Sequence, residues 1–342
     1  MKRPILSLAV LLAAQLVLAG GLALAGARRG GGAEGPLLAF DKAAADRVVV
    51  EGPAGAKVEL AKADGAWKVA SRGGFPADAG KVERLLDRLA SLKRTDPVAT
   101  STEAARRFKV ADADFERRVA IEANGKPIAT ALFGTTAAMR SVHARVAGAG
   151  EVQLVDFAPW ETPAAPDEWI DRGVLRIPRD EIEAVIVGGV TLERNAPAAA
   201  TPASGASPPA GPAWRASGLP AGASLDGAAA EALVTAVADL SISGVAELPP
   251  ASVRDTLVVA VRRRGGAQVE HRLAKPTSGA DWTLRTSARP ETLRVAAYAA
   301  EALQRAADPG TLSGKPPPGP SVAGAPPPAQ ATTGRQGAAR PR

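Results

Sequence analysis

The chain has 342 residues, of which 46% are hydrophobic but only 4% aromatic, so alanine, valine and leucine must fill its interior. It has no cysteine, which excludes disulfides, thiolate nucleophiles, cysteine-ligated zinc and iron–sulfur clusters. The net charge of +7 sits at the ends: Lys2, Arg3, Arg28 and Arg29 precede the first acid, Glu34, and Lys315, Arg335, Arg340 and Arg342 follow the last, Asp308, so the near-neutral middle offers no basic face to a nucleic acid.

Ile5 to Ala27 carries no charge and is flanked by Lys2 and Arg3 before it and by Arg28 and Arg29 after it. As a helix it would span about 34 Å, enough for a bilayer core. Ala23-Leu24-Ala25 and Ala25-Gly26-Ala27 also read as small-x-small cleavage sites. Residues 1–29 are therefore a signal anchor or a signal peptide. Either places the rest at the cell envelope, anchored in the inner membrane with the soluble part in the periplasm, or released there after cleavage.

From Phe40 the pattern turns β-like, with short runs at Arg47 to Gly52, Lys57 to Ala61 and Trp67 to Ala70; Asp64-Gly65 marks a hairpin. Asp78 can cap a helix whose apolar stripe is Val82, Leu85, Leu86, Leu89 and Leu92. Strands follow at Val119 to Ala123 and Ile128 to Phe133 around Asn124-Gly125, then at Val142 to Ala147 and Glu151 to Val155 around Gly148-Ala149-Gly150. Short helical pieces surround Trp160 and Trp169.

A second stretch repeats this order. Val185, Ile186 and Val187 answer Val48, Val49 and Val50, and Trp214 stands where Trp67 stood. Asp226 can cap a helix with Leu233, Val234, Val237 and Leu240, spaced as Leu85, Leu86, Leu89 and Leu92 are. Leu257 to Val261 and Val269 to Leu273 flank Gly265-Gly266. The proline-, alanine- and serine-rich residues 196–212 read as a loop inserted between a strand and its partner. Asp281 to Ser287 reads as a strand and Pro290 to Ala307 as a closing helix. From Pro309 the proline runs and the lack of acids predict disorder.

The hairpin ending in Asp64-Gly65-Ala66-Trp67, then Phe75-Pro76-Ala77-Asp78, the leucine-rich helix, Arg107-Phe108-Lys109-Val110, Phe133-Gly134 and Glu168-Trp169-Ile170-Asp171-Arg172 resemble the bacterial family called domain of unknown function 4340. The resemblance covers about Phe40 to Val187. Many members have an aromatic-Gly-Leu triplet where this chain has Phe108-Lys109-Val110, and the strand that usually carries Tyr-Val-Arg reads Val142-His143-Ala144-Arg145 here. The resemblance supplies no catalytic residues. Some relatives are similar to proteins associated with ABC-type export or gliding motility, which implies an accessory role beside a membrane complex.

Chemistry-bearing residues are sparse. His143 and His271 fall in strands of different units, neither near another histidine at ligand spacing, and read as structural or exposed. Gly148-Ala149-Gly150 is followed by a strand, not the helix a phosphate loop would open, so it reads as a turn. Asp112 with Asp114, and Asp167, Glu168 and Asp171, are close in sequence but read as solvated loop acids. Arg262-Arg263-Arg264 can meet anionic headgroups, though it reads as a solubilising hairpin tip. Trp67, Trp214 and Trp282 can stack on sugars, but their places beside strand starts favour core.

The expected architecture is α+β: two related units, each an antiparallel sheet with one long amphipathic helix, plus an N-terminal hydrophobic helix. The units are 40–178 and 179–308, the second interrupted by a disordered insert at 196–212, with a disordered tail over 309–342. No catalytic, cofactor-binding or metal-binding residue is assigned, and no cofactor. The expected function is that of a non-enzymatic envelope protein beside a membrane complex, its partner an envelope protein such as an ABC-type transporter component, with no nucleic acid. Two rival readings are a glycan- or small-ligand-binding module, and an envelope-polymer hydrolase using scattered carboxylates.

Overall fold

The computed structural model describes residues 35–195, 213–246, 256–275 and 281–314. The expected N-terminal helix, the insert at 196–212 and the tail beyond Gly314 lie outside them. Among the described residues no helix is long and apolar enough to cross a membrane.

The fold is mixed α+β with antiparallel pairing. In chain order the elements are β1 (Arg47–Glu51), β2 (Lys57–Ala63), β3 (Ala66–Val69), β4 (Phe75–Pro76), α1 (Ala79–Ser91), β5 (Pro97–Ala99), α2 (Thr102–Arg107), β6 (Val110–Ala111), β7 (Asp114–Phe115), β8 (Arg117–Ala123), β9 (Lys126–Ala138), β10 (Ser141–Val146) and β11 (Val152–Asp156). There follow β12 (Ile182–Val187), β13 (Val190–Arg194), β14 (Trp214–Ser217), α3 (Gly227–Ala238), β15 (Gly244–Val245), β16 (Leu257–Arg263), β17 (Gln268–Ala274), β18 (Trp282–Thr286), β19 (Arg289–Val295), α4 (Ala297–Ala306) and α5 (Pro309–Leu312).

The chain divides into two compact units. The first holds the described residues of 1–176, 239–254 and 274–297; the second holds those of 177–238, 255–273 and 298–342. β15, β18 and β19 group with the first unit.

In the first unit a nine-stranded sheet runs β4-β3-β2-β1-β8-β9-β10-β11-β5. Two of its tight hairpins turn at Asp64-Gly65 and Asn124-Gly125, with φ of 53° and 76°, and of 52° and 72°. Two successive positive φ values match the right-handed twist of the strands, and Asp-Gly and Asn-Gly tolerate them best. Asp78 caps α1 by accepting a hydrogen bond from the Lys81 N–H, and Val82, Leu85, Leu86 and Leu89 are buried on one face. Burying each of these against water contributes about 1.5–3 kcal/mol. Leu92 closes the helix and is buried as well.

In the second unit five strands lie in the order β14-β13-β12-β16-β17, the same relation of chain order to spatial order as β3-β2-β1-β8-β9. The three strands β18-β19-β15 are arranged as β10-β11-β5 are. The Asp226 carboxylate accepts from the N–H groups of Ala228 and Ala229 at the start of α3, whose Leu233, Val234 and Val237 are buried. Leu240, expected on that helix, lies just past its end and is also buried.

Two expectations need correction. Pro290 to Ala307 is not one helix: its first part is β19, and α4 starts only at Ala297. Leu293 and Val295, two residues apart, face the same side and pair with Leu284 and Trp282 of β18. That cross-strand burial outweighs the helical spacing of Leu293 with Ala297. Pro290 is tolerated because β15 reaches only Leu293 and Arg294. The tail, expected from Pro309, is still folded there. Asp308 caps α5 by accepting from the Thr311 N–H, Leu312 is buried, and its carbonyl accepts from the Asp226 N–H.

Candidate functional site

Chemistry-bearing side chains of the first unit gather around α2 and the β6–β7 hairpin. Ser101 caps α2 through the Ala104 N–H. Ala105 and Val110 then pack on Leu132 and Val152, seating the short helix on the sheet. After Phe108 the chain must turn sharply, and Lys109 does so at φ 57°, a left-handed conformation that costs any side chain with a Cβ. The Phe108 carbonyl accepts from the Thr135 N–H at 3.0 Å, so this turn lies directly on Gly134 of β9.

The Phe108 ring stacks on His143, centroids 3.9 Å apart and planes 10° apart, and carries the Arg107 guanidinium 4.7 Å from its own centroid. His143 Nδ1 lies 2.9 Å from the Thr135 carbonyl oxygen and 3.0 Å from its hydroxyl. A carbonyl can only accept, so in this contact Nδ1 donates. His143 thus orients the α2–β6 segment.

Cavities open on both sides of the β6–β7 turn. One of about 580 Å³ is lined by the 51–57 loop, Lys109 and Asp114 to Glu116. Both Ala54, at φ 55°, and Lys109 border it. Lys109 Nζ donates to both Asp114 oxygens, at 2.9 and 3.2 Å. The other, about 290 Å³, is bordered by Thr100 to Thr102, Arg106, Asp112 and Arg145. Arg145 is buried. Its Nε donates to the Val110 carbonyl at 2.6 Å, and its two Nη atoms donate to the Ala149 carbonyl at 2.9 Å and to Asp112 at 2.5 Å.

The second unit carries a separate charged cleft of about 400 Å³ with Arg194, Arg215, Arg262, Arg264, Glu183 and Glu193 on its walls. Arg215 and Arg262 both donate to Glu193 and hold its carboxyl below the usual carboxylate range. The Arg262–Arg264 run is therefore no free tip. Arg262 engages Glu193, Arg263 engages Glu181, and Arg264 donates to the Asp180 carbonyl.

The acids singled out by sequence diverge. Asp112 binds Arg145 and Asp114 binds Lys109. Asp167 lies between Arg72 and Arg294, Glu168 faces Lys81 and Arg172, and Asp171 accepts from the Gly173 N–H. Each carboxylate has its own cation or backbone partner, not a shared proton. The structure does join two of the motifs behind the family resemblance. Ala77 forms a bridge with Ile170, the Asp78 N–H donates to the Trp169 carbonyl, and the Asp171 N–H donates to the Pro76 carbonyl. Lys81 lies 4.9 Å from the Trp169 ring centroid, and partial burial lowers its pKa. Among the described residues no group of three or more His, Asp or Glu is placed to hold a metal.

Trp67, Trp169, Trp214 and Trp282 are buried. The indole N–H of Trp67 donates to Glu83 of α1 at 2.8 Å, and that of Trp214 donates to Glu231 of α3 at 2.9 Å. The cross-strand neighbour of each is a cation over the ring: Lys62 at 5.0 Å on Trp67, Arg194 at 4.5 Å on Trp214. Neither the two first-unit cavities nor the charged cleft is lined by tryptophan.

His271 is buried in β17, and neither ring nitrogen has a hydrogen-bond partner among the described residues. Desolvation lowers its pKa to about 4.

The sequence does not single out Arg145 or Lys109 as site residues, although Phe108-Lys109-Val110 departs from the aromatic-Gly-Leu triplet of many family members. Nor does it single out Met139 and Trp160, which are 88% and 68% exposed. The Phe157 N–H donates to the Arg140 carbonyl at 3.0 Å, tying the segment that carries Trp160 to the β9–β10 turn that carries Met139.

No curated protein and no solved structure matches the chain. A family profile matches residues 67–257, more than half of the sequence, and the chain belongs to the family described as Domain of unknown function (DUF4340).

Proposed function

We propose that this is a non-enzymatic envelope protein that docks on a protein partner such as a component of an ABC-type transporter. The observation that carries the reading is the exposure of Met139 and Trp160 at neighbouring ends of β9 and β11. Tryptophan and methionine are enriched in protein interfaces, and a large exposed aromatic ring beside a charged rim (Arg140, Asp156, Arg88) suits a docking anchor. Export is supported by the uncharged run Ile5 to Ala27 with its basic flanks.

We further read the chain as a tandem duplication, with copies over 40–178 and 179–308. The matching strand orders support this, as do the two tryptophan–glutamate bonds with cations on the equivalent neighbouring residues. A duplicated scaffold has one copy free to diverge as a binding surface.

Photo-crosslinking in intact cells tests the docking reading. A crosslinking amino acid at position 160 should give a discrete adduct with an envelope protein. The same group at Lys126, the opposite end of β9, about 40 Å away at strand spacing, should not. Equal adducts at both positions, or none at 160, would overturn it.

A further inference from the structure

We propose that the cavity beside Arg145 is a binding site for a carboxylate group, carried by a small acid or by the free C-terminus of a peptide. This goes beyond the docking reading and uses a different surface.

Arg145 is buried and borders a cavity of about 290 Å³. A guanidinium has five N–H donors, and the bonds to the Val110 carbonyl, the Ala149 carbonyl and Asp112 use three of them. The two backbone bonds hold the group rigidly between β6 and the turn after β10. Its planar fork therefore needs no reordering to receive a second planar group, and such forks pair with carboxylates through two parallel bonds.

Asp112 shows that a carboxylate fits there: its Oδ1 lies 2.5 Å from Arg145, while its own side chain is 77% exposed. A buried cation is thus neutralised by an acid that stands mostly in solvent on a two-residue turn, so an incoming carboxylate can take its place at little cost in packing. Arg106 adds a second cation at the rim, and Thr100, Ser101 and Thr102 border the same space with hydroxyl groups that can donate to a bound oxygen. The floor is apolar: Ala105 and Ala111 border the cavity and pack with Val110 and Leu132, which favours a small aliphatic acid or an alanine-like terminal residue.

Asp112 acts as an internal competitor, and this makes the proposal testable without disturbing buried Arg145. Calorimetric titration of the full chain would use acetate, N-acetyl-trialanine with a free C-terminus, and the same peptide amidated. Asp112→Ala should bind at least one of the two carboxylate probes about tenfold more tightly than the unmodified chain, because the tethered acid no longer occupies the fork. Adding Arg106→Gln to it should weaken that binding about threefold. The same probe should raise the melting temperature of Asp112→Ala, a response that a purely structural ion pair would not give. Preference for the peptide over acetate identifies a chain terminus as the ligand, and the reverse identifies a free acid. The proposal is overturned if the amidated peptide binds as well as the free one, or if Asp112→Ala binds neither probe more tightly than the unmodified chain.

Discussion

The Phe108 carbonyl oxygen occupies the space that a Cβ on residue 134 would need, and the Lys109 carbonyl oxygen would lie only 2.6 Å from that atom. Gly134 is required by this close approach and not by its own backbone angles. The Phe133-Gly134 pair in the family resemblance thereby gains a physical reason: the α2–β6 segment crosses the sheet on that residue.

Gly134→Ala should destabilise the protein by about 3 kcal/mol, because both obstructing atoms are backbone and cannot rotate away. Gly150→Ala is the control. Its added Cβ would meet only the Thr100 carbonyl, at 3.7 Å, so it should change stability by less than about 0.5 kcal/mol. Urea unfolding of the two variants checks the difference; equal midpoints would contradict the crossing.

Lys109 pays for its left-handed backbone at φ 57°, a conformation glycine adopts freely. Both Lys109→Gly and Lys109→Ala lose the Asp114 contact, so comparing them isolates the backbone. The glycine variant should melt about 2–4 °C above the alanine variant, the reverse of their usual order in regular structure. Thermal melts followed by circular dichroism would show it.

His271 should make the fold acid-sensitive. Its pKa falls from an ordinary 6.5 to about 4 because burial disfavours the charged ring. The stabilising contribution of the neutral ring is complete above about pH 6.5 and is lost as pH drops from there toward 4. The full loss is about 3 kcal/mol. His271→Leu keeps the position apolar and removes the titration, so its stability between pH 6.5 and 4 should fall less steeply than that of the unmodified protein. Denaturant midpoints across that range decide the point, and parallel slopes would rule out His271 as the source.

Much of the fold was legible in the sequence because its signals are local. Asp64-Gly65 and Asn124-Gly125 dictate their turns through backbone angles alone. Asp78 and the leucine spacing specify α1 within a few turns of chain. The same local logic misread Pro290 to Val295, whose side chains fit either period until β18 pairs with them. The candidate site was less legible. Arg145 draws its partners from Val110, Asp112 and Ala149, and the strand that carries it gives no hint that those groups converge. The histidines looked alike in sequence, yet His143 is stacked and hydrogen-bonded while His271 is buried with no partner among the described residues.

The sequence by itself determined the absence of cysteine chemistry, the charge-free N-terminal run, the capped helices and the tight hairpins, since each depends on residue type and near neighbours. Only the tertiary structure decided that Gly134 lies beneath Phe108, that a buried guanidinium faces a cavity, and that Trp160 stands in solvent while the other tryptophans are buried. Those outcomes depend on which surfaces meet after the chain folds back on itself, and burial, clash and desolvation act only once they have met.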